Sequence, residues 1–142
     1  MSLDTCIYKD IYLWSHDENK VVLTINGMEV ELNEPKCIRD KVAGFHNLYV
    51  IDRYIVNNFE HVNGYGYELT RGGVLELLGY IKEVLEAGED WEEIYEEYFD
   101  YEESKEQIFA EFTNFKEVVE AIMAKDGWSG MYHYVTSANT CC

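Results

Sequence analysis

The chain has 142 residues, 47% of them hydrophobic, which is enough for one domain that buries about two-thirds of its unfolded surface. Its formal net charge is −17 and its pI is near 4.4. Such acidity disfavours direct binding to nucleic acid or to an anionic membrane, because both would repel the protein.

Cysteine usage and hydropathy suggest the compartment. Cys6 and Cys37 are isolated and Cys141 and Cys142 are adjacent, so no spacing resembles a disulfide framework or a zinc site. No apolar run approaches the roughly 18 residues of a transmembrane helix, and the first residues lack the basic start of a signal peptide. We expect a reduced, cytoplasmic protein without a metal or cofactor, with one domain over residues 1–136 and a frayed tail over 137–142.

The first predicted elements are strands. Residues 3–9 favour an N-terminal strand, and residues 21–25 and 28–32 flank Asn26-Gly27, the pair preferred in two-residue type I′ hairpins. In that register the apolar side chains share one face, which we expect to pack against the helices. These side chains are Val21, Leu23, Ile25, Met28, Val30 and Leu32.

A long helix is predicted after the hairpin. Asn33 would cap it and Pro35 would lie in its tolerant first turn. Apolar residues then recur at spacings of three and four: Ile38, Val42, Phe45, Leu48, Ile51, Ile55 and Phe59. A Gly-rich loop over 63–67 leads into a short strand.

The second half of the chain predicts two clear helices and a strand. Thr70 would cap a helix that ends at Gly88, and a later helix with an apolar stripe from Ile108 to Ile122 would end at Asp126-Gly127. Residues 131–136 favour a final strand. The pattern as a whole predicts an α+β fold, with an antiparallel sheet of four to five strands and three to four helices packed on one face.

Residues 89–103 concentrate the charge of the chain, with nine acids, five aromatics and no base. On a helix all of these acids except Glu102 would fall within an arc of about 160°, opposite an aromatic face. The segment would carry one charge per ~2.5 Å, comparable with the spacing in B-DNA of ~1.7 Å along the axis or ~3.4 Å per strand. The candidate partner-binding residues are therefore Glu89, Asp90, Glu92, Glu93, Glu96, Glu97, Asp100 and Glu103. The alternative interpretation is a solvated helix face that serves solubility.

No catalytic residue is predicted. The histidines at 16, 46, 61 and 133 show no metal-ligand spacing, and His133, alternating with tyrosines in a strand, is expected to be half-exposed. Gly64 and Gly66 lack the third glycine of a dinucleotide-binding motif. We therefore favour a non-enzymatic protein.

Several short motifs resemble a family of small bacteriophage proteins of unknown function. Those proteins open Met-Gly-Leu-Asp before an apolar strand, and later carry a His-x-aromatic-aromatic helix, a capped Leu-rich helix, an acidic Tyr-rich segment and an aromatic C-terminal strand. The corresponding segments here are 1–8, 46–49, 67–85, 96–101 and 128–137, although Ser2 replaces the glycine and the family's Trp-Arg-Lys-Ala-Asn run is missing. The resemblance implies a phage or prophage origin and action in the host bacterial cytoplasm, where small phage proteins often inhibit host machinery.

Three functional hypotheses follow. In the first, an acidic nucleic-acid mimic binds a host protein with a basic nucleic-acid-binding groove, as an anti-CRISPR or anti-restriction inhibitor would. In the second, the protein is a sponge that sequesters a small nucleotide signal, and in the third it is a small enzyme without a recognisable motif. The sequence leaves open whether the protein forms a homodimer.

Overall fold

The structure, a computed structural model, describes residues 4–13, 21–32 and 36–136. Strands and helices alternate in blocks along this part of the chain. In order they are β1 (Asp4–Leu13), β2 (Val21–Ile25), β3 (Met28–Leu32), β4 (Lys36–His46), α1 (Val50–Asn58), β5 (His61–Val62), β6 (Gly66–Glu68), α2 (Arg71–Glu86), a 3-10 turn (Gly88–Asp90), α3 (Trp91–Tyr98), α4 (Lys105–Asp126) and β7 (Met131–Val135).

Five of these strands form one antiparallel sheet in the order β4-β1-β7-β6-β5. Ile7, Tyr134 and Tyr67 lie side by side across β1, β7 and β6 and join the same core as the helices. From β4, Phe45 packs against Phe115 of α4 with ring centroids 5.6 Å apart. The predicted α+β fold, an antiparallel sheet with helices, is confirmed.

Helix boundaries follow local capping chemistry. The hydroxyl of Thr70 accepts a hydrogen bond from the amide of Gly73 at 3.2 Å, and Ser104 caps α4 through the amide of Gln107 at the same distance. At the other end of α4, Gly127 takes a left-handed conformation with φ 69°, which a side chain would strain. The predicted helix start at Thr70 and the predicted end at Asp126-Gly127 are confirmed. None of the described helices is both long enough and apolar enough to cross a bilayer.

The hairpin has the predicted register but forms a separate two-stranded sheet. Asn26 and Gly27 have φ values of 51° and 79°, as a type I′ turn requires. The prediction that Met28 faces the helices is wrong, because 69% of this residue is exposed. The alternation of apolar and polar residues along a strand assigns side chains to one face of the hairpin, but it does not determine whether other parts of the protein cover that face. The other five apolar side chains of this hairpin, and residues 33–35 and 137–142, lie outside the described part of the structure.

The prediction of a helix over 36–46 is also wrong, because this segment is strand β4, paired with β1 along its whole length. The register shifts between Ile7 and Tyr8, whose partners are Ala43 and Lys41, so Val42 is an extra residue in a β-bulge. The bulge changes the phase of the strand and brings Val42 and Phe45 onto the core side. Val42 and Phe45 are thereby three residues apart on the same side of the strand, which is the spacing expected of a helix.

Helix α1 is capped from a distant part of the chain. No side chain next to its start caps it. Instead the Glu111 carboxylate, on α4 and only 4% exposed, accepts the amides of Tyr49 at 2.7 Å and Ile51 at 2.6 Å. Burial raises the pKa of this carboxyl above its usual range, against the lowering effect of the amides.

Candidate interaction surface

The acidic stretch forms the 3-10 turn and α3, and aromatic rings hold it in place. Trp91 packs edge-on against Phe109 of α4 at 5.4 Å, and Tyr95 lies 6.1 Å from Phe112. Phe99 follows the helix and is 4.9 Å from Phe112. The predicted aromatic face of this segment therefore packs against the core, and its charged face is left outside.

Six of the eight predicted site residues occupy this outer side together. All six are exposed, and they define the acidic surface: Glu89, Asp90, Glu92, Glu93, Glu96 and Glu97. Their role in binding stays a prediction.

Residues 89–103 do not form a single helix. The helix ends at Tyr98, where Phe99 turns into the core and Asp100 takes a left-handed conformation with φ 51°. Aspartate tolerates this conformation better than most residues. Asp100 is therefore exposed beyond the helix end, while Glu103 is half-buried in the extended segment before α4. These two acids do not share the helix face of the other six.

The acidic surface opposes the stability of its own helix. Glu92 and Glu93 lie in the first turn of α3, where the helix dipole favours acids, but Glu96 and Glu97 lie near its C-terminal end, where the dipole disfavours them. The i,i+4 pairs Glu92–Glu96 and Glu93–Glu97 each destabilise the helix by roughly 0.2–0.5 kcal/mol. Helix α3 therefore depends on its aromatic contacts.

Within the described ranges, no base forms an ion pair with the acidic surface. Two lysines of α2 and α4 form ion pairs with another acid: Lys82 and Lys116 both contact Glu120, at 3.0 and 3.1 Å. Lys105 lies over the rings of Trp91 and Phe109, 5.5 and 5.4 Å from their centroids. The negative field of this surface is thus not neutralised within the described structure.

Two tyrosines extend this surface onto α2. Tyr80 and Tyr98 stack with centroids 3.9 Å apart, and both are partly exposed. Tyr80 donates a hydrogen bond to Glu76 at 2.6 Å, and this bond raises the pKa of Tyr80 to about 12. A hydrogen bond to Glu83 likewise raises the pKa of Tyr98 to about 12. The stacked pair was not predicted, although the i,i+4 spacing of Glu76 and Tyr80 could have indicated the first of these bonds.

A cluster in which the buried Asp10 and His133 meet the exposed Arg39 on the sheet was also not predicted. The Asp10 carboxylate accepts hydrogen bonds from the Arg39 guanidinium at 2.7 and 3.2 Å. His133 Nδ1 lies 2.6 Å from Asp10 Oδ2 but without the geometry of a hydrogen bond. His133 is 1% exposed, so its predicted half-exposure is wrong. Since both oxygens of Asp10 contact cationic or donor groups, this carboxylate is poorly placed to act as a general base. Among the described residues, no group of three acids, histidines or cysteines could hold a metal ion.

Comparisons with other proteins add no assignment. No protein-family model, curated protein sequence or solved structure matches this chain significantly.

Proposed function

We propose that the protein is a non-enzymatic interaction protein whose acidic surface binds a basic, nucleic-acid-binding groove of another protein. One observation carries the proposal: six exposed acids lie together on the 3-10 turn and α3, and no described base neutralises them. A groove that binds phosphates presents the complementary positive field.

The placement of the acids supports binding over simple solvation. A solvated helix gains from acids at its start and bases at its end, whereas α3 has acids at both ends. The helix tolerates this arrangement because Trp91, Tyr95 and Phe99 anchor it. The stacked Tyr80–Tyr98 pair adds ring surface beside the charges, as bases lie beside phosphates in a nucleic acid.

The resemblance to small phage proteins suggests which partner to test. A phage protein of this kind would act in the bacterial cytoplasm against a nucleic-acid-binding defence protein, such as a CRISPR effector or a restriction enzyme. The proposed partner is a protein, and direct binding to nucleic acid or to a membrane is not part of the proposal.

The experiment uses the purified protein as bait in nuclease-treated bacterial lysate, followed by binding assays with the retained proteins. We expect a nucleic-acid-binding protein that double-stranded DNA or RNA displaces and that elutes steeply with salt. Glu93→Lys/Glu97→Lys should lose this retention. Glu60→Lys/Glu117→Lys is the matched control, because it makes the same charge change at exposed positions away from α3 and should retain the partner.

Two results would refute the proposal. If both double variants lose the partner equally, net charge and not the acidic surface is responsible. If the α3 variant is folded and retains the partner like the wild type, the acidic surface only serves solubility.

A further inference from the structure

A pocket of about 280 Å³ lies where the end of α1 meets the start of α2, beside β6. Its volume is just below the range of about 300–1,000 Å³ that is typical of sites for drug-sized ligands, so a smaller molecule suits it. Tyr54 and Asn58 of α1 line it together with Gly73 and Glu76 of α2. None of its lining residues belongs to the acidic surface.

Two aromatic rings form the apolar part of this pocket. Tyr54 and Phe59 meet edge to face, with ring centroids 6.3 Å apart. Phe59 packs closely against the first turn of α2, because a Cβ on Gly73 would lie 2.7 Å from its ring. Such rings attract an alkylammonium group through their π faces and also contact an apolar chain.

The hydroxyl of Tyr54 is available to a ligand. Tyr54 is only 7% exposed, yet its hydroxyl forms no hydrogen bond with any residue that the structure describes. A buried polar group without a partner is costly. The ring packs against Phe59, Tyr80 and Phe99, so the hydroxyl is left at the pocket. Burial raises the pKa of this hydroxyl, and the negative charge of Glu76 across the pocket raises it further.

Three glutamates give the pocket its charge, and they come from the turn after α1, from β6 and from α2: Glu60, Glu68 and Glu76. No base lines the pocket, and none of the three carboxylates forms an ion pair with another described residue. The bases next to lining residues in sequence make contacts elsewhere: Arg71 donates to the carbonyl of Gly127, and Arg53 lies over the ring of Tyr101. The negative end of the α1 dipole and the positive end of the α2 dipole meet here and largely offset each other.

The spacing of the three carboxylates selects the shape of the cation. No group of three acids in the described part of the chain could hold one metal ion, so these glutamates do not converge on a single point. An extended cation with several charges can reach them separately, whereas a compact ion cannot. Together with the two rings, this arrangement suits an alkyl chain that carries ammonium groups along its length.

We propose that this pocket binds an aliphatic polyamine such as spermidine, with its chain along the rings of Tyr54 and Phe59 and its ammonium groups at the three glutamates. One ammonium group donates to the free hydroxyl of Tyr54. The ligand is a small molecule, so this site goes beyond the proposed binding of a protein at the acidic surface.

Titration followed by NMR tests the proposal, because each backbone amide reports on its own surroundings. The probe is spermidine, with 1,8-octanediol as an uncharged chain and Mg²⁺ as a compact cation, all at one ionic strength. We expect spermidine to shift the amides of Asn58, Glu68 and Gly73 with one curve that saturates below about 1 mM, whereas octanediol should not saturate in that range. Mg²⁺ at equal concentration should not displace spermidine.

Two double variants separate the pocket from the acidic surface. Glu60→Lys/Glu117→Lys and Glu93→Lys/Glu97→Lys change the net charge equally, but only the first alters the pocket lining. The first should weaken spermidine binding by at least about tenfold, and the second should bind within about threefold of the wild type. Phe59→Leu should weaken binding by about two- to fivefold, as the loss of one cation–π contact predicts. Circular dichroism should show each variant folded.

The proposal is overturned if spermidine shifts the amides of α3 with the same curve as those of the pocket, or if the two double variants lose equal affinity. Either result would mean that net charge attracts the polyamine without a defined site. It is equally overturned if Mg²⁺ displaces spermidine at equal concentration, because the glutamates would then bind any cation.

Discussion

Replacing Glu111 tests how the first helix is held in place. This carboxylate accepts the amides of Tyr49 and Ile51 at the start of α1, and Gln107 contacts it at 3.3 Å. In Glu111→Gln one amide of α1 faces an NH2 group and loses its acceptor. A buried donor left unpaired costs about 1–3 kcal/mol. We expect the free energy of unfolding to fall by that amount in Glu111→Gln, and by about 2–6 kcal/mol in Glu111→Ala, which leaves both amides unpaired.

The pH dependence adds a second expectation. Burial raises the pKa of Glu111 above its ordinary value of 4.5. The folded protein therefore binds a proton at this carboxyl more tightly than the unfolded chain does. Its contribution to stability is therefore complete below pH 4.5 and is lost as the pH rises through the folded pKa. Because glutamine does not titrate, the stability difference between wild type and Glu111→Gln should be larger at acid pH and should narrow as the pH rises.

Urea unfolding, followed by circular dichroism at several pH values, measures both effects. The matched control is Glu117→Gln, an exposed position on the same helix, which should change stability by less than about 0.5 kcal/mol. If Glu111→Gln is as stable as this control at every pH, the long-range cap on α1 contributes nothing and the reasoning fails.

Three further predictions concern the acidic surface and the network at Asp126. Phe99→Ala should lower the free energy of unfolding by about 3–5 kcal/mol in urea unfolding, because this 4%-exposed ring fills the core beneath α3; a loss below 1 kcal/mol would contradict the aromatic anchoring. Glu93→Lys/Glu97→Lys should leave stability unchanged or raise it slightly, because a lysine at position 93 lies i,i+3 from Glu96 and a lysine at position 97 lies where the helix dipole favours a base. A marked fall in the same assay would contradict the assignment of these acids to solvent. Asp126 accepts hydrogen bonds from Lys9, from the hydroxyl of Tyr132 and from the amide of Trp128, and these bonds lower its pKa from 3.8 to about 2. The stability that this carboxylate contributes should therefore be lost as the pH falls from 3.8 to about 2. In that pH range the free energy of unfolding of Asp126→Asn should fall less steeply than that of the wild type. If the two fall in parallel, the hydrogen bonds to Asp126 do not stabilise the protein.

Local signals in the sequence predicted much of the fold. Asn26-Gly27 determined the register of the hairpin, and Thr70 and Gly127 marked helix ends, because turn and cap chemistry depends on a few adjacent residues. Exposure of the six acids on the 3-10 turn and α3 was predictable for a related reason. Charges and rings alternate there at helical spacing, and only the rings gain from burial.

The errors arose where distant parts of the chain decide the structure. Lys36–His46 is a strand because β1 pairs with it, and its bulge gave Val42 and Phe45 a helical spacing. The acidic helix stops at Tyr98 because Phe99 packs against Phe112 of the next helix, which a helical projection cannot represent.

The networks at Glu111 and at Asp10 were not predictable for the same reason. Glu111 reaches the amides of Tyr49 and Ile51 on another helix, and Asp10 meets His133 from the far end of the described chain.

The position of β7 has a consequence for how the protein reaches its native state. This strand lies between β1 and β6, so a nascent chain that has not yet formed it holds two separate strand groups, β4–β1 and β6–β5. Pairing of Ile7 with Tyr134 closes a loop that includes helices α1 to α4, and contacts so distant in sequence slow folding. Until that closure, β1 and β6 each present an open edge that another chain could pair with. We therefore expect chains truncated before Met131 to aggregate, because without β7 the facing edges of β1 and β6 stay open.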